Sequence, residues 1–305
     1  MEICKRQIKE TVSDIPMGAG RSAEGDSVLS LESAVDHPCF NANASCSFGR
    51  IHLPVAPKCN VQCNYCNRKY DCPNENRPGV TSVILDPLEA VGRVRFAKNK
   101  LDNLSVVGIA GPGEPLANEE TFETLELVGK MHPDLHLCLA TNGLLAPLHM
   151  DRLRELGLGF ATVSIAAVDP HIGKKIYSWV KWNGNTFKGE FAFKVLSQNQ
   201  WQAVEEFVNS GMLVKINSVL IPGVNDDQIS KIAKRAADLG AHMLNVMPLI
   251  PVEGSGFEKR RAPSRKEIDL IRDYCETTLP QMRHCAKCKA DAVGLLQKDL
   301  SREIF

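Results

Sequence analysis

IHLPVAPKCNVQCNYC, Ile51 to Cys66, sets a short apolar run directly before three cysteines, Cys59, Cys63 and Cys66, in a Cys-x3-Cys-x2-Cys loop. The run from Ile51 to Ala56 reads as a β-strand. Three thiolates spaced this closely can face one cubic iron–sulfur cluster. They leave its fourth iron without a protein ligand. A cluster held by four cysteines only passes electrons; one held by three can bind a substrate. Tetrahedral zinc usually takes paired Cys-x2-Cys knuckles, so the competing reading is a three-cysteine zinc site with a ligand borrowed from elsewhere.

Outward from this loop, strands and helices alternate. Strands are expected at residues 51–56, 104–110, 135–141, 160–166, 213–221 and 243–249. Each is a short apolar run ending in turn chemistry, and continuous apolar runs suit strands buried on both faces of a parallel sheet. Asp86-Pro87 supplies an N-cap and a first-turn proline. Asn118 precedes a helical stretch with two acidic residues in its first turn, favourable at that end. Ser264-x-x-Glu267 is a capping box. Six βα units with right-handed crossovers are too few for a closed eight-stranded barrel. They predict an α/β fold, a partly open (βα)6 barrel over residues 49–260, with its site at the carboxyl ends of the strands.

Residues 1–48, rich in Gly, Ser, Asp and Asn, are expected to form an irregular N-terminal extension, mobile at its start. Residues 261–305 form a C-terminal extension carrying a Cys-x2-Cys pair. The stretch Ser178 to Val195 interrupts the alternation with two Trp and three Phe. It reads as a lid or partner surface, or, as preferred here, as a loop packing its own small core.

Over 305 residues the formal net charge is zero and no Lys/Arg block occurs, which argues against a nucleic-acid partner. No apolar run is long enough to span a bilayer. The start, MEICKRQIKE, lacks the apolar region of a secretory signal. Eleven cysteines in such a chain point to a reducing, cytoplasmic setting and to metal or redox chemistry rather than disulfides. Cys72 lies just beyond the first loop, Cys39 in HPCF, Cys138 in an apolar run, and Cys285 and Cys288 in RHCAKC. Cys4, Cys46 and Cys275 read as small buried apolar residues.

After the second strand comes GIAGPGEP, Gly108 to Pro115. Gly111 and Gly113 are expected to leave backbone N–H groups unshielded toward a ligand, although Gly-Pro-Gly is also a plain turn. Asn142, Ser164 and Asn217 stand at or near strand ends. There they serve a ligand or cap neighbouring backbone.

The loop and its strand resemble the signature of radical SAM enzymes. The resemblance implies a [4Fe–4S] cluster on Cys59, Cys63 and Cys66 whose open iron is chelated by S-adenosylmethionine (SAM). One electron then breaks a carbon–sulfur bond. It further implies SAM contacts from the glycine segment, with Gly111, Gly113 and Glu114, and from Tyr65, Asn142, Ser164 and Asn217.

Longer stretches, among them APKCNVQCNYCNRKYDCPNENRPGVTS, HPCF, GIAGPGEPLAN, VKINSVLIPGVND and RHCAKCKADAVGLL, resemble the NifB-like family of nitrogenase-cofactor biosynthesis from about His37 onward. That family is expected to fuse two auxiliary [4Fe–4S] clusters, K1 and K2, around a carbon from SAM, with one added sulfur, into an eight-iron precursor. Methyl transfer to a cluster sulfide would come first. Hydrogen abstraction by a 5′-deoxyadenosyl radical would follow. The resemblance is to the shorter, single-domain form.

In this light K1 is expected on Cys39 and Cys138, completed by a thiolate or by the imidazole of His37 or His52. K2 is expected on Cys285 and Cys288. Cys72 would be the third thiolate for either cluster. Glu75 would be a weak, displaceable ligand, or else a solvated loop carboxylate. Partners implied are SAM, iron–sulfur cluster substrates, and proteins that deliver clusters and carry the cofactor away, with no nucleic acid and no membrane.

Two other classes compete. Another radical SAM enzyme, such as a glycyl-radical activase or a molybdopterin-type cyclase, shares the first loop but needs no HPCF, Cys138 and RHCAKC together. A non-enzymatic iron–sulfur scaffold needs neither the glycine segment nor the barrel.

Overall fold

The computed structural model describes residues 34–304. The Gly- and Ser-rich part of the expected N-terminal extension, with Cys4, therefore lies outside the described residues. Residues 34–48 form turns and a short 3-10 stretch, Ala44–Cys46.

Six parallel strands make the frame: β1 (Gly49–His52), β3 (Leu104–Ile109), β4 (His136–Thr141), β5 (Phe160–Ser164), β8 (Leu213–Leu220) and β9 (Met243–Pro248). They lie side by side in that order. Helices α1 (Pro87–Lys100), α2 (Glu119–Met131), α3 (Ala146–Glu155), α4 (Pro170–Ile176), α5 (Gly189–Asn209), α6 (Ile229–Asp238) and α7 (Arg265–Glu276) follow them. The expected (βα)6 alternation is present. β1 stops short of Ala56 because Pro54 has no N–H for the ladder. No described helix is long and apolar enough to cross a membrane.

Period-2 alternation divides each strand. Leu137 and Leu139, Ala161 and Val163, Val214 and Ile216, and Leu244 and Val246 join the main apolar core. Their neighbours Cys138, Thr162, Lys215, Asn217, Asn245 and Met247 line a space inside the barrel. The runs that read as uniformly apolar thus hide a polar, sulfur-bearing inner face.

Two of the sequence-coded caps form as expected. Asp86 accepts from Glu89 N–H at 2.8 Å while the Glu89 carboxylate accepts from Asp86 N–H at 3.0 Å. Ser264 and Glu267 do the same for α7. Asn118 makes no side-chain cap for α2. Its amide instead bridges to the cysteine loop, accepting from Lys58 N–H at 3.0 Å and donating to the Lys58 carbonyl at 3.1 Å.

The Ser178–Val195 stretch is not a loop. It supplies β6 (Tyr177–Trp182), β7 (Asn185–Phe187) and the start of α5. The turn is Asn183-Gly184, both at positive φ, which is what a two-residue hairpin turn requires. β6 pairs antiparallel with β2 (Val61–Cys63), inside the cysteine loop itself. The insertion and the loop share a second core containing Val61, Tyr65, Val180 and Phe193.

The C-terminal extension closes the open side of the barrel. Met282 N–H donates to the Leu244 carbonyl of β9, and Leu244 N–H to the Pro280 carbonyl. Further on, β10 (Val293–Leu295) pairs antiparallel with β1 and with the short β11 (Lys298–Asp299). The single-turn α8 (Ser301–Ile304) ends the described residues. Cys285 and Cys288 ride on the segment that spans the gap.

Candidate active site

Cys59, Cys63 and Cys66 line a cavity of about 420 Å3 at the carboxyl ends of the strands, together with Arg68, Glu114, Asn142 and Ser164. None of the three is in a disulfide. Burial raises all three thiols, Cys59 to about 11 against the pull of Arg68. Loading a metal cluster therefore means displacing protons. These three free thiols, with Cys72 beside them, line one space, and thiols are the donors a cluster takes.

The glycine segment is clamped to this loop. Gly113 N–H donates to the Ala56 carbonyl at 2.6 Å, and Glu114 N–H to the Lys58 carbonyl at 2.8 Å. A Cβ on Gly113 would meet the Lys58 carbonyl oxygen at 2.3 Å and that of Ala56 at 2.7 Å. The Gly113 N–H is thus not an unshielded donor; the residue is needed for close backbone approach. Gly111 takes φ +135° and its carbonyl accepts from Ala56 N–H.

Glu114 is 3% exposed. Its carboxylate accepts from Asn142 N–H at 2.6 Å, from Leu116 N–H at 3.2 Å and from the Thr141 hydroxyl. Burial pushes it up to about 7 despite those donors. Asn142 lines the cavity and donates to Asn60 Oδ1 at 2.7 Å, while its own Oδ1 caps Leu144 N–H. The local capping role of Asn142 is thus present, and its place in the cavity lining leaves it within reach of a ligand. The Tyr65 side chain is outside the cavity lining; it is buried in the second core and its hydroxyl donates to Asn74 Oδ1 at 2.7 Å.

A second cavity lies inside the barrel. Into it the fold brings Cys39 from the N-terminal turns, His52 from β1, Cys138 from β4, and Cys285 and Cys288 from the closing segment. Burial raises Cys39 to about 11 and Cys138 to about 12. Cys285 Sγ accepts from Asn245 Nδ2 at 3.4 Å, and Cys288 Sγ from Arg50 Nη2 at 3.2 Å.

The two cavities share a wall at Glu75 and Ala140. Glu75 is not a solvated loop carboxylate. It points inward, accepting from Ser164 Oγ at 3.0 Å and from Asn217 Nδ2 at 2.7 Å. Ser164 and Asn217 thus serve Glu75 directly. Cys72 lines the outer cavity beside the first three cysteines rather than the inner one.

His52 lines the inner cavity with Nδ1 3.2 Å from the Lys289 carbonyl; burial lowers it to about 3, so the ring is neutral. His37 stands behind the cavity, fully buried, its ring 4.2 Å from that of Phe160. Its Nδ1 accepts from Cys39 N–H at 3.2 Å, and its Nε2 is buried with no hydrogen-bond partner.

Sequence reading missed Lys215, Asn245, Arg50 and Arg68, which all touch these cavities or their thiols. For Lys215 the available signal was parity. It lies two residues before Asn217, so the two share the inner face.

The radical SAM superfamily profile matches residues 53–236. The FeMo cofactor biosynthesis protein NifB of Chlorobaculum tepidum is 46% identical over 271 residues, covering 88% of this chain and 64% of that protein. The Klebsiella pneumoniae protein of the same name is 45% identical over 280 residues, covering 90% and 60%. That of Frankia alni is 43% identical over 289 residues, covering 92% and 57%. The chain thus spans 57–64% of these relatives' length. Among solved structures, Streptococcus suis SuiB bound to S-adenosylmethionine superposes with a TM-score of 0.55 at 16% identity, over 77% of this chain and 50% of that one; this likeness is one of fold.

Proposed function

We propose, from the premise that the chain belongs to the radical SAM superfamily, that it matures the nitrogenase cofactor. In this reading it joins two iron–sulfur cubanes around a carbon taken from SAM, with one added sulfur. The observation that carries the reading is the shared wall. A cavity lined by Cys59, Cys63, Cys66 and Cys72 abuts a second cavity furnished with four more cysteines and an imidazole.

Cys59, Cys63 and Cys66 would hold the [4Fe–4S] cluster. With SAM bound, that cluster supplies one-electron cleavage of a carbon–sulfur bond. Glu114, fixed by three donors, and Asn142 would orient SAM toward the shared wall. Cys39 and Cys138, with one imidazole, would seat the first substrate cubane. Cys285 and Cys288 would seat the second. Glu75, between the cavities, is a hard and displaceable donor for either. Confinement keeps the reactants in line and excludes water. Delivery and carrier proteins in a reducing cytoplasm would supply the cubanes and receive the product.

The test is an anaerobic assay of reconstituted protein with SAM and dithionite. Expected are both S-adenosylhomocysteine and 5′-deoxyadenosine, from protein carrying about twelve irons in three cubanes. About four irons per chain, with no S-adenosylhomocysteine, would leave a radical SAM enzyme of another type.

A further inference from the structure

One cation in the inner cavity has no close ion-pair partner among the described residues. Lys215, on β8, is 6% exposed and turned into the barrel beside Asn217. Among the described residues its ammonium contacts are the Met282 sulfur at 3.8 Å and the face of Phe40, 5.5 Å to the ring centroid. Neither carries a charge. Glu75, in the same wall, accepts its hydrogen bonds from Ser164 and Asn217 and attracts Lys215 only from beyond ion-pair distance. Taking an ammonium out of water without a counter-charge is strongly unfavourable. The favourable state of this cavity is therefore one that holds negative charge. A cubane bound by thiolates is such a charge, and Cys39, Cys138 and Cys285 line the same space.

We propose that Lys215 is the positioning cation for the iron–sulfur cargo of the inner cavity. Its ammonium offsets the negative charge of the thiolate-bound cubane at Cys39 and Cys138, and so draws that cubane to one place in the cavity. This rests on the reading that an iron–sulfur cargo occupies the cavity. Two consequences are separable. The empty chain carries a buried ammonium with no close ion pair and is relieved by losing it. The loaded chain loses an attraction, and the cargo becomes harder to reduce because a nearby positive charge favours the more negative, reduced form.

The experiment compares the unaltered chain with Lys215→Met and Lys215→Arg, all anaerobic. In iron-stripped protein, Lys215→Met is expected to melt at or above the temperature of the unaltered chain. A lower melting temperature, or failure of this variant to fold, would mean that the ammonium is already satisfied in the empty cavity and would overturn the inference. In reconstituted protein, Lys215→Met is expected to lose auxiliary iron to a chelator at least about tenfold faster. Its auxiliary midpoint potential should move to a more negative value, Lys215→Arg should return both toward normal, and the Cys59–Cys63–Cys66 cluster should be unmoved. If the unaltered chain takes up three cubanes but Lys215→Met matches it in chelator loss and potential, the inference alone fails. If the unaltered chain takes up only the Cys59–Cys63–Cys66 cluster, the functional reading fails, and the inference with it.

Discussion

Cys63 is held from two directions. Its backbone ends β2 against Tyr177, and its thiol faces the outer cavity with Cys59 and Cys66. Within the x3/x2 loop no other cysteine can take its place, although Cys72 lines the same cavity. Cys63→Ala is expected to abolish 5′-deoxyadenosine formation and the signal of that cluster while the inner-cavity clusters remain. Undiminished cleavage of SAM would remove the assignment. A second residue-scale expectation concerns imidazole. His37 keeps a bare buried Nε2, and His52 faces the cavity as a neutral ring. Pulsed EPR at low temperature should show nitrogen coupling to one auxiliary cluster, lost on replacing one of the two histidines by alanine. Absence of any such coupling would leave K1 to thiolates. Glu75 shows what single residues hide. In sequence it is a loop carboxylate, and only donors from Ser164 and Asn217, on distant strands, turn it inward.

At the scale of elements the sequence is mostly self-describing, because caps and turns are set by residues within a few positions. The Ser264–Glu267 box forms as read, and the Asp86 cap expected from sequence is completed into a box by Glu89. The hairpin at Asn183-Gly184 had its own signal, an Asn-Gly pair between aromatic runs, overshadowed by the search for a loop. What local pattern does not tell is that β6 would pair with the cysteine loop. The glycine segment belongs to this scale too. Gly113→Ala puts a methyl group into two backbone carbonyls that cannot rotate away. It is expected to cost on the order of 1–3 kcal/mol as overpacking and to prise the loop from the end of β3. Chemical denaturation would read the first effect and SAM binding the second. Ser264→Ala serves as the contrast. Loss of that cap should cost about 1 kcal/mol and leave SAM cleavage unchanged.

Across the whole molecule, the decisive event is closure of the barrel by its own C-terminal segment, hydrogen-bonded to β9 on one side and β1 on the other. It makes the inner cavity a closed space and brings Cys285 and Cys288 to it. Replacing both by serine is expected to remove about four irons, one cubane, while SAM cleavage at the outer cavity persists. Iron analysis beside the 5′-deoxyadenosine assay checks this, and full iron content would make the pair merely structural. The three-cysteine spacing, the six βα units and the helix caps were determined by the sequence by itself, since each depends on neighbours that stay near whatever the chain does. The inner cavity was not. Cys39, His52, Cys138, Lys215 and Cys285 have no periodic relation to one another along the chain. Which of them meet depends on strand order, register and where the last segment crosses, and that is decided only when the sheet curls and closes. The alternation of β8 was enough to turn Lys215 inward. Whether an anion waits for it there depends on every other wall of the barrel, and that belongs to the tertiary structure alone.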